Sequence, residues 1–263
     1  MIDARLRRAR RANGRRRRLG FATLTSTDDQ TQSRPAAPYA ALVAEHGLSR
    51  AHRLLLDAVP DGARVLDAGC ASGYLAAELT RRGCRVTGVE ADPVAAERAR
   101  AHCEAVVVGD VEDAGCRGEL AALAPYDVVL CGDILEHLRD PWSALRALAS
   151  LGGLVVLSVP NIAHWTGRRA LACGRFPYVE HGLFDRTHLR FFTRSSAREL
   201  AERAGLTVVA ERFPPAPVPM QARIRALLAL ERAAVRARPE LFALQVILIC
   251  EPREPREPQA PGR

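Results

Sequence analysis

The chain contains no lysine: all 38 basic residues among its 263 are arginine. That uniformity reads as the coding bias of a GC-rich genome rather than as chemistry. There is also no Cys-x-x-Cys pair. The seven cysteines, at 70, 84, 103, 116, 131, 173 and 250, are scattered and odd in number. This excludes an obvious zinc site or disulfide framework and suggests free thiols in a reducing compartment, hence a cytoplasmic protein. No apolar run approaches the ~20 residues of a membrane-spanning helix. No long-period repeat and no recognisable RNA-binding module is present. The three-glycine G-x-G-x-x-G spacing of a dinucleotide turn is missing as well.

What looks abundant, positive charge, is local. The formal net charge is +8, and residues 1–18, with nine Arg and one Asp, account for all of it. Residues 19–263 sum to about zero. Nucleic acid or an anionic membrane is therefore expected as a partner only through the Arg-rich N-terminus. A solvated tail or an over-extended start codon is the plainer reading, and no clear cleavage site supports a transit peptide.

Residues 1–37, Arg-rich and then Ser/Thr/Gln-rich, are expected to be a disordered tail, 38–250 one domain, and 251–263, with its repeated Glu-Pro-Arg, a second disordered tail. Within the domain, Tyr39–Val59 predicts one or two amphipathic helices, after which strand and helix patterns alternate. Strands are predicted at Ala63–Ala68, Arg85–Glu90, Ala105–Gly109, Tyr126–Cys131, Leu154–Val159, Leu206–Arg212 and Leu241–Cys250. Helices are predicted at Ser72–Arg82, Asp92–His102, Pro141–Leu151, Ser195–Ala204 and Gln221–Arg236. Asp92-Pro93 and Asp140-Pro141 each read as an N-cap followed by the first helical residue. Strands alternating with helices of ~10–15 residues imply right-handed crossovers and a parallel sheet.

The first strand runs into Asp67-Ala68-Gly69-Cys70-Ala71-Ser72-Gly73, a small-residue turn that lets backbone approach a ligand. Glu90 ends the second strand, where a carboxylate can accept hydrogen bonds from two ribose hydroxyls. Gly109-Asp110-Val111 ends the third strand and Gly132-Asp133-Ile134 the fourth. Asp67 would repel pyrophosphate and suits a cationic amino-acid moiety instead.

The order and spacing of these pieces resemble motif I and its successors in class I S-adenosylmethionine-dependent methyltransferases. The resemblance covers roughly residues 60–212. It includes Leu135-Glu136-His137-Leu138-Arg139-Asp140-Pro141, Ser158-Val159-Pro160-Asn161 and Asp185-Arg186-Thr187-His188-Leu189-Arg190-Phe191-Phe192-Thr193. This set is similar to the bacterial group that includes ubiquinone-biosynthesis O-methyltransferases and methyltransferases of glycan or natural-product pathways. It implies an α/β fold: a Rossmann-like, seven-stranded, mostly parallel sheet with an antiparallel last strand and helices on both faces. Here the last two strands are about 27 residues apart, an insertion at 214–239 suited to a lid or a dimer surface. By resemblance, S-adenosylmethionine would bind at Asp67, Gly69, Ser72, Gly73, Glu90, Ala91, Asp110, Val111 and Asp133.

For the acceptor, His137 and His188 are candidate general bases with Glu136 beside them, and His181 and His164 are weaker candidates. The spacing of Asp133, Glu136 and His137 with the distant His188 resembles the E-x-x-E-H…H set of two metal-assisted groups, the small-RNA 3′-terminal 2′-O-methyltransferases and some quinone-pathway enzymes. It implies a site for Mg²⁺ or a transition ion, with Asp133 one methylene shorter than the usual Glu. Residues 161–192 are the expected acceptor platform or lid. Its Trp165, Phe176, Tyr178, Phe184, Arg168, Arg169, Arg175, Arg186 and Arg190 suit a sugar, an aromatic ring or an acidic group. O-methylation of a small molecule or glycan intermediate is the leading expectation. A metal-assisted RNA 2′-O-methyltransferase and a non-catalytic cofactor-binding regulator stand as alternatives.

Overall fold

The apolar run Arg64–Ala68 forms β1, the strand from which the sheet is laid down in both directions. The computed structural model describes residues 43, 45, 47–214 and 225–253, apart from the side chains of 225–228 and 231. The expected tail 1–37, most of 39–46, 215–224 and 254–263 lie outside the described residues. β1 is followed by β2 (Arg85–Glu90), β3 (Ala105–Val108), β4 (Tyr126–Gly132), β5 (Gly152–Pro160), β6 (Leu206–Arg212) and β7 (Gln245–Pro252). Their order across the sheet is β3-β2-β1-β4-β5-β7-β6. Strands β1 to β5 pair in parallel, and β7 runs antiparallel to both β5 and β6.

Side chains alternate between two apolar layers along each strand, as the period of two requires. Leu66 and Ala68 of β1 and Val129 and Cys131 of β4 face one layer. Val65, Val128 and Leu130 face the other. The first layer is closed by α4 (Ala114–Ala122), α5 (Pro141–Ala149) and α7 (Arg194–Arg203), the second by α1 (Arg50–Leu56) and α2 (Tyr74–Arg81). Leu66, Leu130 and Leu157 are fully buried, each contributing about 1.5–3 kcal/mol.

Helix starts follow local chemistry. Asp92 caps α3 (Pro93–Ala99) by accepting from the Val94 amide at 2.8 Å. Asp140 caps α5 through the Ser143 amide at 3.2 Å. Thr193 and Ser196 form a reciprocal capping box on α7.

Three regions depart from the sequence pattern. Helix α4 lies where none was predicted, because Gly115 and Gly118 dilute a pattern in which only Cys116 and Leu120 are buried. Helix α6 (Trp165–Ala172) occupies part of the expected platform. Helix α8, described over Arg225–Ala237, agrees with the helix predicted at Gln221–Arg236 over its described residues. The strand expected from Leu241 starts instead at Gln245, since Pro239–Phe242 forms the short helix α9. Strand β7 also runs on through Glu251 and Pro252, two residues into the expected C-terminal tail, because β6 continues to pair with it there.

Candidate active site

The strand order reverses direction between β1 and β4, so the loops leaving their C-terminal ends diverge and open a crevice there. Two glycines shape its floor. Gly69 sits at φ +73°, and a Cβ there would lie 2.9 Å from Cδ1 of Ile134, the residue after Asp133. Gly73 sits at φ +78°, and its Cβ would fall 2.9 Å from the Ala99 backbone. Neither position accepts a side chain without strain, and the exposed backbone between them is what a closely approaching ligand needs.

Glu90 organises this turn. One carboxylate oxygen accepts from the Ala71 amide and the other from the Asp92 amide, both at 2.9 Å. Ala71 is held at φ 49°. Each Glu90 oxygen keeps a second lone pair for a ligand hydroxyl. Asp67, behind the turn, is 2% exposed. Its Oδ2 is buried with no hydrogen-bond partner. Burial first, and then the Glu90 charge, push its carboxyl up to about 7. A buried carboxylate so placed invites a cationic ligand group.

The remaining donor-side residues surround the same turn. Ser72 is half-buried within it, Ala91 is exposed beyond Glu90, and Val111 is buried beneath the loop after β3. Asp110 accepts from the Glu112 amide at 2.8 Å.

Asp133 is held by side chains of β5 and β7. It adopts φ 51°. Its Oδ1 accepts from the Ser158 hydroxyl at 2.8 Å and from the Gln245 amide at 2.9 Å, and Oδ2 accepts from Gln245 at 2.8 Å. The group able to hold a metal is therefore Glu136, His137 and His188, whose ligand atoms lie within 4.8 Å of one another. Asp133 is not among them, a correction to the four-residue set, and the reason is its engagement by β5 and β7.

The two imidazoles come from segments 51 residues apart. His137 ends a 3₁₀ turn, Leu135–His137, after β4. His188 lies in the loop before α7. Their ring centroids are 4.8 Å apart, edge to face. His188 Nε2 is 3.9 Å from Glu136 Oε1, with both side chains almost wholly buried. His137 Nδ1 lies 3.1 Å from the Thr187 carbonyl, which orients the ring with Nδ1–H donating and leaves Nε2 as the basic atom. Asp185 underpins this loop by accepting from the Thr187 hydroxyl at 2.6 Å and amide at 2.8 Å. Burial opposes its ionisation, but the Thr187 donors, helped by His188 and His137, hold its carboxyl below the usual value.

The other two histidines are elsewhere. His164, 3% exposed, caps α6 through Thr166, and His181 is exposed. Phe176 packs edge to face on Phe184 (4.9 Å) and Phe191 (5.3 Å), and Phe191 stands 6.3 Å from the His188 ring. An aromatic wall thus flanks the imidazole pair, with Tyr178 67% exposed at its edge. Of the platform arginines, Arg186 pairs with Glu180 at 2.6 Å, and Arg168 and Arg190 donate to backbone carbonyls. Glu112, which accepts from the loop after β4, and Gln245, which donates to Asp133, make contacts that no local motif marks.

A positive-φ glycine turn after β1 and a cluster of one carboxylate and two imidazoles beyond β4 thus lie at the C-terminal ends of adjacent parallel strands of an α/β sheet. Over residues 23–211 the chain matches the methyltransferase domain family, and it belongs to that family. It is 34% identical over 154 residues to the ubiquinone biosynthesis O-methyltransferase of Aeromonas salmonicida (strain A449), covering 56% of this chain and 64% of that one. It is 41% identical over 111 residues to the enzyme of the same name from Xanthomonas campestris pv. campestris (strain B100), covering 38% and 44%. The chain thus spans less than two thirds of these curated relatives. The fold is similar to a SAM dependent methyltransferase from Archaeoglobus fulgidus, with TM-score 0.56, 17% identity, and 81% of this chain and 99% of that chain covered.

Proposed function

We propose that the protein is an S-adenosylmethionine-dependent O-methyltransferase acting on a small molecule or glycan intermediate. The observation that carries this is the close approach of Gly69, in the turn after β1, to Ile134, which leads into the Leu135–His137 turn after β4, so the donor turn and the first imidazole sit on adjoining loops. Asp67 suits the cationic methionine end, Glu90 the ribose, and Asp110 with Val111 the adenine. When bound, S-adenosylmethionine supplies an activated methyl group on a sulfonium. What the protein's residues must add is alignment, exclusion of water and removal of the acceptor's proton. His137 Nε2 and His188 are placed for that proton, Glu136 stabilises positive charge on His188, and the Phe176–Phe191 wall shields the reacting pair.

The convergence of Glu136, His137 and His188 favours a second element, a divalent ion. One carboxylate and two imidazoles fit a transition metal better than Mg²⁺, which prefers oxygen. Such an ion would lower the acceptor's pKa. Dialysis against a chelator should then abolish activity and an added divalent ion restore it; full activity without metal would leave the imidazoles as bases alone. Among the described residues no helix is long and apolar enough to cross a membrane, and all seven cysteines are free, which supports a cytoplasmic setting.

The test is a thermal shift with S-adenosylmethionine, followed by transfer of isotope-labelled methyl into a host metabolite extract. Stabilisation and labelling of a small product are expected. RNA retention that survives deletion of residues 1–18 would point instead to an RNA acceptor.

A further inference from the structure

We infer that Glu112 is a positioning residue that joins the cofactor loop to the acceptor loop, an assignment that rests on the methyltransferase reading above. Its carboxylate, 14% exposed, accepts from three donors. These are the Asp140 amide at 2.7 Å, the Arg139 amide at 3.0 Å and Arg139 Nε at 3.4 Å. An exposed Arg–Glu pair alone would position little. Here two of the three donors are main-chain amides, so the carboxylate fixes the path of the backbone after β4.

The same residue is tied to the donor side. Its own amide donates to Asp110, and its carbonyl accepts from Arg117 at 2.6 Å. From Arg139 the connection continues to the acceptor side. The Arg139 carbonyl accepts from the Arg190 guanidinium, whose Nε is at 3.1 Å and which also lies over the Trp142 ring. The amides of Leu189 and Arg190 both donate to the Glu136 carbonyl, at 2.8 and 2.9 Å. A continuous set of hydrogen bonds therefore runs from the adenine-side loop to the segment that carries His188. Burial works against ionisation of Glu112, but its donors outweigh it and hold its carboxyl below the usual range, so both oxygens remain acceptors at neutral pH.

This need for two acceptor oxygens makes the test sharp. Glutamine has nearly the same shape but one accepting oxygen, so it can serve Arg139 or Asp140 and not both. Hydrogen exchange of the full chain, read by mass spectrometry with and without S-adenosylmethionine, would follow residues 109–112 and 186–190. In the wild type the cofactor should slow exchange in both segments. In Glu112→Gln it should slow only 109–112, with affinity reduced about tenfold, the worth of one charge-assisted hydrogen bond. Glu104→Gln, which removes an exposed carboxylate paired with Arg85, should behave as wild type. Equal slowing at 186–190 in Glu112→Gln would overturn the proposal, as would a wild type that responds at 109–112 alone. A wild type with no cofactor response in either segment would remove the methyltransferase reading and this proposal with it. If Glu112→Ala fails to fold, the isosteric glutamine still decides.

Discussion

The two sides of the crevice are made of different material. The donor side is mostly backbone: two glycines at positive φ, a turn held by Glu90 through main-chain amides, and one buried acid behind it. The acceptor side is mostly side chain: Glu136, His137, His188 and an aromatic wall, drawn from segments far apart in the sequence. A backbone-built site serves a ligand that does not vary, because its shape is hard to change without breaking the fold. A side-chain-built site can be altered one residue at a time, which suits the half that must match a particular acceptor.

The sharpest way to separate the two sides is to disable one and measure the other. His188→Ala or His137→Ala should lower kcat by about 10²–10⁴-fold, the usual worth of a general base, with S-adenosylmethionine affinity by calorimetry unchanged. A parallel loss of cofactor affinity would mean that the imidazoles themselves, and not only the loop backbone that Glu112 holds, contribute to cofactor binding. Conversely, Gly73→Ala should weaken cofactor binding and destabilise the fold by about 1–3 kcal/mol, the cost of a non-glycine residue held in this region, visible as a lower melting temperature. The Ala99 backbone that its Cβ would meet cannot swing aside as a side-chain tip can.

A smaller effect distinguishes the sides by pH. Asp67 is raised from 3.8 to about 7 by burial and by Glu90, so folding favours its neutral form. Its contribution to stability is full below about 4 and is lost as pH rises to about 7. A cationic cofactor end favours the carboxylate and so displaces a proton on binding. Affinity should therefore rise with pH, by up to about tenfold per unit, until it levels near 7. Asp67→Asn should flatten that slope, and an unchanged slope would assign it to another group. The smallest effect expected is from Thr193→Ala, which removes the cap of α7 and should cost about 1 kcal/mol by denaturant titration without moving cofactor affinity.

This contrast also explains what could be read from the sequence. The donor turn, the acid ending β2, the acid after β3, and the caps Asp92 and Asp140 are local, and local spacing reveals them. The meeting of His137 with His188 was suggested only by resemblance, since nothing in the intervening residues encodes their distance. The diversion of Asp133 depends on Gln245, 112 residues away, and that of Glu112 on an amide 27 residues on. Helix α4 was missed because two glycines weaken its apolar period, and α9 because an apolar run after a proline reads equally well as strand.

Strand β7 carries a further consequence, one of timing. It fills the gap between β5 and β6, yet it is the last strand of the sheet to leave the ribosome. Until Gln245–Pro252 arrives, β5 and β6 each present an unpaired edge, the kind of surface that recruits other chains. Asp133 also lacks the amide that holds it. Synthesis that stalls in the stretch before Gln245 would leave a chain whose cofactor turn is complete and whose sheet is open, so aggregation during slow translation should outpace loss of the donor site.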